Sequence, residues 1–364
     1  MKIFVSLFLM LVFAPLNYAK TFYVSETDQL LQAVKQLNNS GSGGQIYIYP
    51  GHYYLSETLT VTTDRVQISQ VPELSNPVIL DGKLGSIQVN NLILVAADDF
   101  KLSGVTLQNA KHHLVQIASE LGANRPRFER VTFRDAYQQL LKVSYDTNIP
   151  TQYSSGGVVR NCYFYFSKGV AFQSYTGGID AHAVQNWQIV NNVFKDISSP
   201  SESIAEHAIH LWNNTKNNRI QGNVIINSDR GIGLGLGEPD PAKFKFGNHG
   251  GLIENNFIFH NNNQAPFADV GIGLESSPET IVKNNWIYLM HDYPNAIEYR
   301  FSKSKNITVK NNYINKKIIS RNGASAAVSN NKKLDQYDFL SALQAHLTAI
   351  NMQVNPPSQS LDGF

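Results

Sequence analysis

Apolar residues recur along this chain in short alternating runs, and one such run is written five times between Gly177 and Arg300: Gly178-Ile179-Asp180-Ala181, Ala208-Ile209-His210-Leu211, Gly231-Ile232-Gly233-Leu234, Gly271-Ile272-Gly273-Leu274 and Ala296-Ile297-Glu298-Tyr299. Side chains alternate across a strand, so the five isoleucines share one face with Ala181, Leu211, Leu234, Leu274 and Tyr299. That face reads as core. The other carries Gly or Ala, then Asp180, His210, Gly233, Gly273 and Glu298, then His182, Trp212, Gly235, Glu275 and Arg300. It mixes titratable groups with gaps.

A second run interleaves with the first. The segments VVRNCY, IVNNVF, IQGNVI, IENNFI, VKNNWI and VKNNYI align without gaps on Asn161, Asn192, Asn223, Asn256, Asn285 and Asn312, at intervals of 31, 31, 33, 29 and 27 residues. Self-similarity at such a period marks a solenoid or a propeller. A propeller blade needs four strands and a longer repeat. Two or three short strands per turn, with Asn at one bend, predict an all-β solenoid, a single-stranded right-handed parallel β-helix of roughly eight to ten coils. Asn suits the bend because it tolerates the left-handed conformation and its amide can bond the Asn one coil away. Leu102-Ser103-Gly104-Val105 and Phe128-Glu129-Arg130-Val131 are degenerate earlier forms of the ladder. Val115-Gln116-Ile117 and Leu141-Lys142-Val143 are then earlier copies of the first strand, which brings Lys142 into the column of Asp180 and His210.

This ladder, with the opening segment Gly43-Gly44-Gln45-Ile46-Tyr47-Ile48-Tyr49-Pro50-Gly51, resembles the right-handed parallel β-helix, or pectin-lyase-like, superfamily. The resemblance spans nearly all of the chain after its leader and implies fold and broad class; no catalytic motif of the superfamily matches residue by residue.

The ends read differently. Residues 1–19 have the form of a secretory signal, with Lys2, an apolar run from Ile3 to Leu16, and Ala19 before Lys20. Cleavage there implies a secreted or periplasmic protein with no membrane span in the mature chain. Ser25 and Asp28 predict a capped helix bearing Leu30, Leu31, Val34 and Leu37. It would cover the first coil, whose strand edges are otherwise unpaired. Leu334, Phe339, Leu343 and Leu347 predict a second capping helix, which puts one β-helix domain at 20–350 and a tail at 351–364.

Charge narrows the partners. Of 364 residues, 16% are charged and the formal charge is +2, falling to +1 when Lys2 leaves with the leader. That gives a nucleic-acid binder no electrostatic footprint. The single cysteine, Cys162, permits no internal disulfide and reads as a small core residue. Nothing calls for a second copy, so a monomer is expected.

Coils stacked about 4.8 Å apart turn outward columns into neighbours. Lys142, Asp180 and His210 form one cluster, with His182 and Trp212 in the next column and His207 and Arg230 at strand starts. A carboxylate flanked by Lys and His can position a proton-abstracting base. Glu275, Glu298 and Arg300 form a second cluster, able to clamp a substrate carboxylate or to hold Ca²⁺. His182, His207 and His210 could ligate a metal, but no zinc-site spacing supports it. Gly231, Gly233, Gly235, Gly271 and Gly273 suggest a groove floor open to a ligand, walled by the expanded loop from Glu238 to Gly250. A groove of about 20 Å with charged ends suits an extended, acidic polysaccharide. Basic residues beside the cleft, together with the class that the superfamily resemblance implies, make a polysaccharide lyase or related epimerase the expected function. Lys142, Asp180, His182, His210 and Arg230 would be catalytic. His207, Trp212, Gly233, Gly273, Glu275, Glu298 and Arg300 would bind substrate. The alternatives are a non-catalytic glycan-binding protein and a glycoside hydrolase using Glu275 and Glu298.

Overall fold

A computed structural model describes residues 20–84, 87–244, 246–261 and 266–355. The expected leader, Lys245 of the long loop, and residues 356–364 of the tail lie outside the described residues. Three parallel sheets run the length of the chain. Sheet A has twelve strands from Lys20–Val24 to Ala326–Ser329, sheet B eleven from Gly51–Tyr54 to Lys332–Lys333, and sheet C ten from Leu59–Val61 to Lys317–Arg321. Each coil visits A, B and C in turn, the right-handed parallel β-helix expected, but with more coils than the roughly eight to ten counted from the clearest repeats. The excess lies at the ends, where Lys20–Val24, Gly44–Ile48 and Val66–Gln70 precede the recognised ladder segments in sheet A and Ala326–Ser329 follows them, while the degenerate segments take their expected places. Lys101–Ser103 and Arg127–Glu129 pair in sheet A, and Thr106–Ala110 and Thr132–Ala136 pair in sheet B.

The bend between sheets A and B carries the asparagine ladder. Asn192 donates its backbone N–H (3.0 Å) and its Nδ2 (2.9 Å) to Asn223 Oδ1, and the same pair of bonds links Asn223 to Asn256, Asn256 to Asn285 and Asn285 to Asn312. The second hydrogen of each amide goes to a strand carbonyl one coil back, such as Val159 O from Asn192 and Ile189 O from Asn223. Every amide atom of the inner rungs is thereby paired inside a column that is fully buried.

Two details correct the sequence reading. Asn161 is not a rung: Val159 pairs with Ile189, and it is Cys162 N–H that donates to Asn192 Oδ1 (2.9 Å). The left-handed conformation also belongs to the residue before each rung, at Asn161, Asn191, Gly222, Asn255, Asn284 and Asn311, with φ between 54° and 64°. The Asn-Asn pair divides the work, the first residue making the turn and the second the ladder. Asn331 extends the ladder by one rung.

The interior is filled by the inward residues of all three sheets, including stacked Phe133, Phe164 and Phe194 with centroids 4.3 and 4.6 Å apart. Helix α1 (Thr27–Ser40) packs Leu30, Leu31, Val34 and Leu37 into this core over the first coil. Its start differs from the expected capping box: Glu26 is the N-cap without a side-chain bond, and Gln29 Oε1 instead accepts from Ser25 N–H (2.9 Å). Helix α2 (Gln336–Ile350), capped by Asp335, lays Phe339, Leu343 and Leu347 along the outer face of sheet B against Val193, Val224 and Phe257. It covers the flank rather than the last coil. Asn351 to Asn355 continue that contact, with Met352 buried and Asn355 bonded by Lys195 Nζ (2.8 Å). No helix among the described residues is long and apolar enough to cross a membrane.

Removing an inner rung should be costly. Asn223→Ala strips partners from the Asn192 backbone N–H, the Asn192 amide and the Ile189 carbonyl, all buried. The expected loss is about 3 kcal/mol or more in urea unfolding. Asn331→Ala, at the half-buried last rung, should cost under about 1 kcal/mol. A loss under about 1 kcal/mol at Asn223 as well would show that the ladder does not stabilise the stack.

Candidate active site

Parallel register places the outward columns of sheet C. Lys142 stands beside Asp180, Asp180 beside His210, then Gly233, Gly273 and Glu298; His182 stands beside Trp212 and Glu275 beside Arg300. Asp180, 2% exposed, lies beneath the first cluster. Its Oδ2 accepts from Lys142 Nζ (2.5 Å) and its Oδ1 from Trp212 Nε1 (2.6 Å). Burial pushes the Asp180 carboxyl up, but the Lys142 ammonium beside it outweighs this and holds it below its ordinary value.

Lys142 Nζ also lies 3.0 Å from His182 Nε2. Burial, then the Lys142 charge, drives the His182 imidazole down to about 3, so the ring is neutral. An ammonium can only donate, so Nε2 carries the lone pair and the ring hydrogen sits on Nδ1. Asn213 is 3.0 Å from Nδ1 and should meet it with its amide oxygen. The result is a neutral base held against a fixed cation.

His210 behaves differently from expectation. It makes no hydrogen bond to Asp180. Its Nε2 lies 3.0 Å from Gly235 O, and its Nδ1 is 3.1 Å from Glu206 Oε2, close but not aligned for a hydrogen bond. The strand turns at Ala208, which with Ile209 faces the core, so His207 and His210 emerge together with ring centroids 4.6 Å apart. His207 is held well below its usual value by burial, then Arg230 and His210. Arg230 donates to Ala205 O through Nε (3.0 Å) and NH2 (2.8 Å). Glu206 was not foreseen. It ends a loop of irregular length, pinned where Asp229 Oδ2 accepts from Ser199 N (3.0 Å) and Ala205 N (2.9 Å).

The five glycines do not form an open floor. Cβ atoms at Gly231 and Gly271 would meet the core side chains of Ile258 and Ile287, so these two face inward. Gly235 takes a left-handed turn at φ 75°. Gly233 and Gly273 do face outward but are buried, and a Cβ at Gly233 would lie 2.6 Å from the His207 ring. The space was left for a side chain of the protein itself. What remains is a recess of about 40 Å³ bordered by His207, Arg230, Gly273, Glu275, Tyr293 and Arg300. It has room for a substituent and not for a sugar ring.

The second cluster is internally paired. Arg300 NH1 donates to Glu275 Oε1 (2.7 Å), whose other oxygen takes the Gly237 N–H (2.6 Å). Glu298, 2% exposed, accepts from Tyr293, Asn295 and Arg321 (2.5, 2.5 and 3.1 Å), three partners that sequence reading missed. With an arginine on each carboxylate, the pair suits neither a hydrolase nor a calcium site. Among the described residues, the ligand atoms of Glu206, His207 and His210 lie within 4.8 Å of one another, the one grouping with metal-binding donors.

Comparison with solved structures places the fold. An alginate lyase from a Paenibacillus species matches with a TM-score of 0.52 at 14% identity, over 86% of this chain and 99% of that one. The A-module of the Azotobacter vinelandii mannuronan C-5 epimerase AlgE6 matches at 0.53 and 14%, over 86% and 96%. The tailspike of Escherichia coli bacteriophage HK620, solved with a hexasaccharide, matches at 0.52 and 13%, over 86% of this chain and 62% of that one. This chain is a right-handed parallel β-helix like these proteins. No family model and no curated protein sequence matches it.

The neutral buried imidazoles predict acid sensitivity. His113 and His182 are pushed down to about 4 and 3, and His207 well below 6.5, by burial first in each case. Below pH 6.5 the unfolded chain binds protons at these sites and the folded chain does not, so their stability contribution is full above that value and is lost as pH falls. Urea unfolding should weaken between pH 6.5 and 4 by up to about 1.4 kcal/mol per pH unit for each such histidine. His182→Gln should make the profile shallower; an unchanged slope would show that His182 is already charged in the fold.

Proposed function

We propose that the protein is a secreted polysaccharide lyase or C-5 epimerase acting on a uronate-containing chain laid across sheet C. The observation that supports this most is the Asp180–Lys142–His182 arrangement. Both reactions begin when a base removes the proton α to the uronate carboxylate, and both need that carboxylate's charge offset while the carbanion forms. Two of the three Lys142 hydrogens point to Asp180 and His182, which leaves one for the substrate carboxylate. Asp180 keeps the ammonium charged and in place.

His182 is then the base once the substrate carboxylate draws the Lys142 ammonium off Nε2, whose single lone pair Lys142 occupies in the free protein. Its basicity is suppressed by burial and by the Lys142 charge, and a bound carboxylate beside Lys142 offsets the second cause. Substrate binding would thereby raise the proton affinity of the group that must accept the proton. In a lyase the electron pair left behind forms the double bond as the glycosidic oxygen departs and takes a proton. In an epimerase it is reprotonated from the opposite face. Trp212, stacked on the His210 ring at 5.2 Å, offers the adjoining apolar surface for a sugar face. The neighbours that act on alginate or mannuronan make those polymers the first substrates to try.

The test is incubation of purified protein with alginate, polygalacturonate and a neutral glucan. Ultraviolet absorbance would detect unsaturated uronates, and NMR in deuterium oxide would detect exchange at the α carbon. Asp180→Asn, Lys142→Ala and His182→Ala should each lower turnover by about 10²-fold or more. Glycan binding should survive in at least one of them. Absence of cleavage, epimerisation and exchange on every acidic polymer would leave the outer face of sheet C a glycan-binding role.

A further inference from the structure

Three buried polar atoms around His207 lack hydrogen-bond partners: Glu206 Oε2, His207 Nδ1 and His210 Nδ1. Desolvated polar atoms are rarely left so in a native fold, and three converging on one point ask for a common explanation. The His210 ring sharpens it. Gly235 O can only accept, so the hydrogen of the neutral ring lies on Nε2 and the lone pair on Nδ1. That nitrogen lies 3.1 Å from a carboxylate oxygen set off the axis of its lone pair. Two acceptors at this separation repel unless a cation lies between them. A proton on Nδ1 would relieve this contact, but would leave His207 Nδ1 unpaired 4.0 Å from the same oxygen. The Arg230 guanidinium, 3.9 Å from Glu206 Oε2, is already committed to the Ala205 carbonyl.

We propose that Glu206, His207 and His210 bind one divalent cation of the zinc class. Two imidazole nitrogens and one carboxylate oxygen form a donor set suited to a borderline ion, whereas calcium and magnesium take oxygen shells. Ligands about 2.0–2.1 Å from a tetrahedral zinc stand about 3.3 Å apart, close to the 3.1 Å between Glu206 and His210. The His207 donor, 4.0 Å from Glu206 Oε2 and within 4.8 Å of the His210 donor, would draw in on binding. The outer contacts also fit. The His210 Nε2–H bond to Gly235 O fixes tautomer and ring angle, as the second nitrogen of a ligating histidine commonly does. Asp229 holds the backbone of the loop that delivers Glu206. Three protein ligands leave a fourth position for water or a substrate oxygen. This inference does not depend on the lyase reading, since a glycan-binding protein would hold the ion equally.

The experiment uses full-length, tag-free protein stripped with chelator and then titrated with Zn²⁺ by equilibrium dialysis, with Co²⁺ as a spectroscopic substitute. The expected result is one Zn²⁺ per chain, a visible Co²⁺ band of a four-coordinate nitrogen–oxygen site, and a higher melting temperature with zinc. Glu206→Gln and His210→Ala should each weaken binding at least tenfold, the lower bound seen even for outer-shell partners. Glu206 is part-exposed, so its variant should fold if His210→Ala does not. His249→Ala removes a separate His–Glu pair and should leave binding unchanged. Failure to bind zinc stoichiometrically, or equal binding by Glu206→Gln and the parent, would overturn the proposal.

Discussion

Register between coils is the constraint on which everything else in this molecule depends. A parallel stack puts the same position of every coil over the same position of the next, and a slip by one residue would exchange the core and solvent faces of a strand. The Asn192–Asn331 ladder opposes that slip at one bend, because each rung must meet both an amide and a backbone N–H of its neighbour. The insertions between ladder and sheet C vary widely in length, yet Ile179, Ile209, Ile232, Ile272 and Ile297 still stack in line. Loops absorb the variation and the ladder restores the phase.

Fixed register is also what makes the chemistry of sheet C possible. Adjacent strands force Lys142 and Asp180 together in a place where Asp180 is almost fully desolvated. A buried ion pair of this kind contributes little net stability, and breaking it by removing one partner typically costs about 3–5 kcal/mol. Its retention is better understood through what it does to the next group. The Lys142 charge, added to burial, keeps His182 neutral, and the two sit in hydrogen-bond contact on a rigid strand pair. Glu298 and Arg321 resemble this pairing but are closed off by Tyr293 and Asn295. The same device here braces the sheet.

Strands, columns and the Lys142–Asp180 neighbourhood were legible in the sequence because each is a consequence of period and alternation. The failures have local causes. Asn161 stood in for Cys162 because an ungapped alignment of Asn-rich hexapeptides cannot tell a turn residue from a rung. The glycines at 231 and 271 were assigned outward by strict alternation, which breaks where the chain bends into sheet C and two successive residues face the core. Glu206 belongs to a loop, where no periodicity carries information. Helix α2 was visible as an apolar stripe, but its docking surface is made by residues such as Val224 and Phe257, which alternation simply assigns to the outside of sheet B.

The glycine column shows how structure redirects a functional argument. Small residues on an outer face imply that something comes close, and at Gly233 that something is the His207 ring, not a ligand. The ring in turn fills the floor, reduces the recess to about 40 Å³, and is brought to the side of His210 and Glu206. Under the proposed function, a sugar chain on sheet C would run above Lys142, His182 and Trp212 rather than over bare backbone, because the recess beyond holds only a substituent or a water. The glycines position a cluster of donor atoms, and that cluster adjoins Lys142, Asp180 and His182 through the Trp212–His210 stack. Loss of the Gly233 gap would first displace His207, so its effect on any ligand would pass through the protein's own side chains.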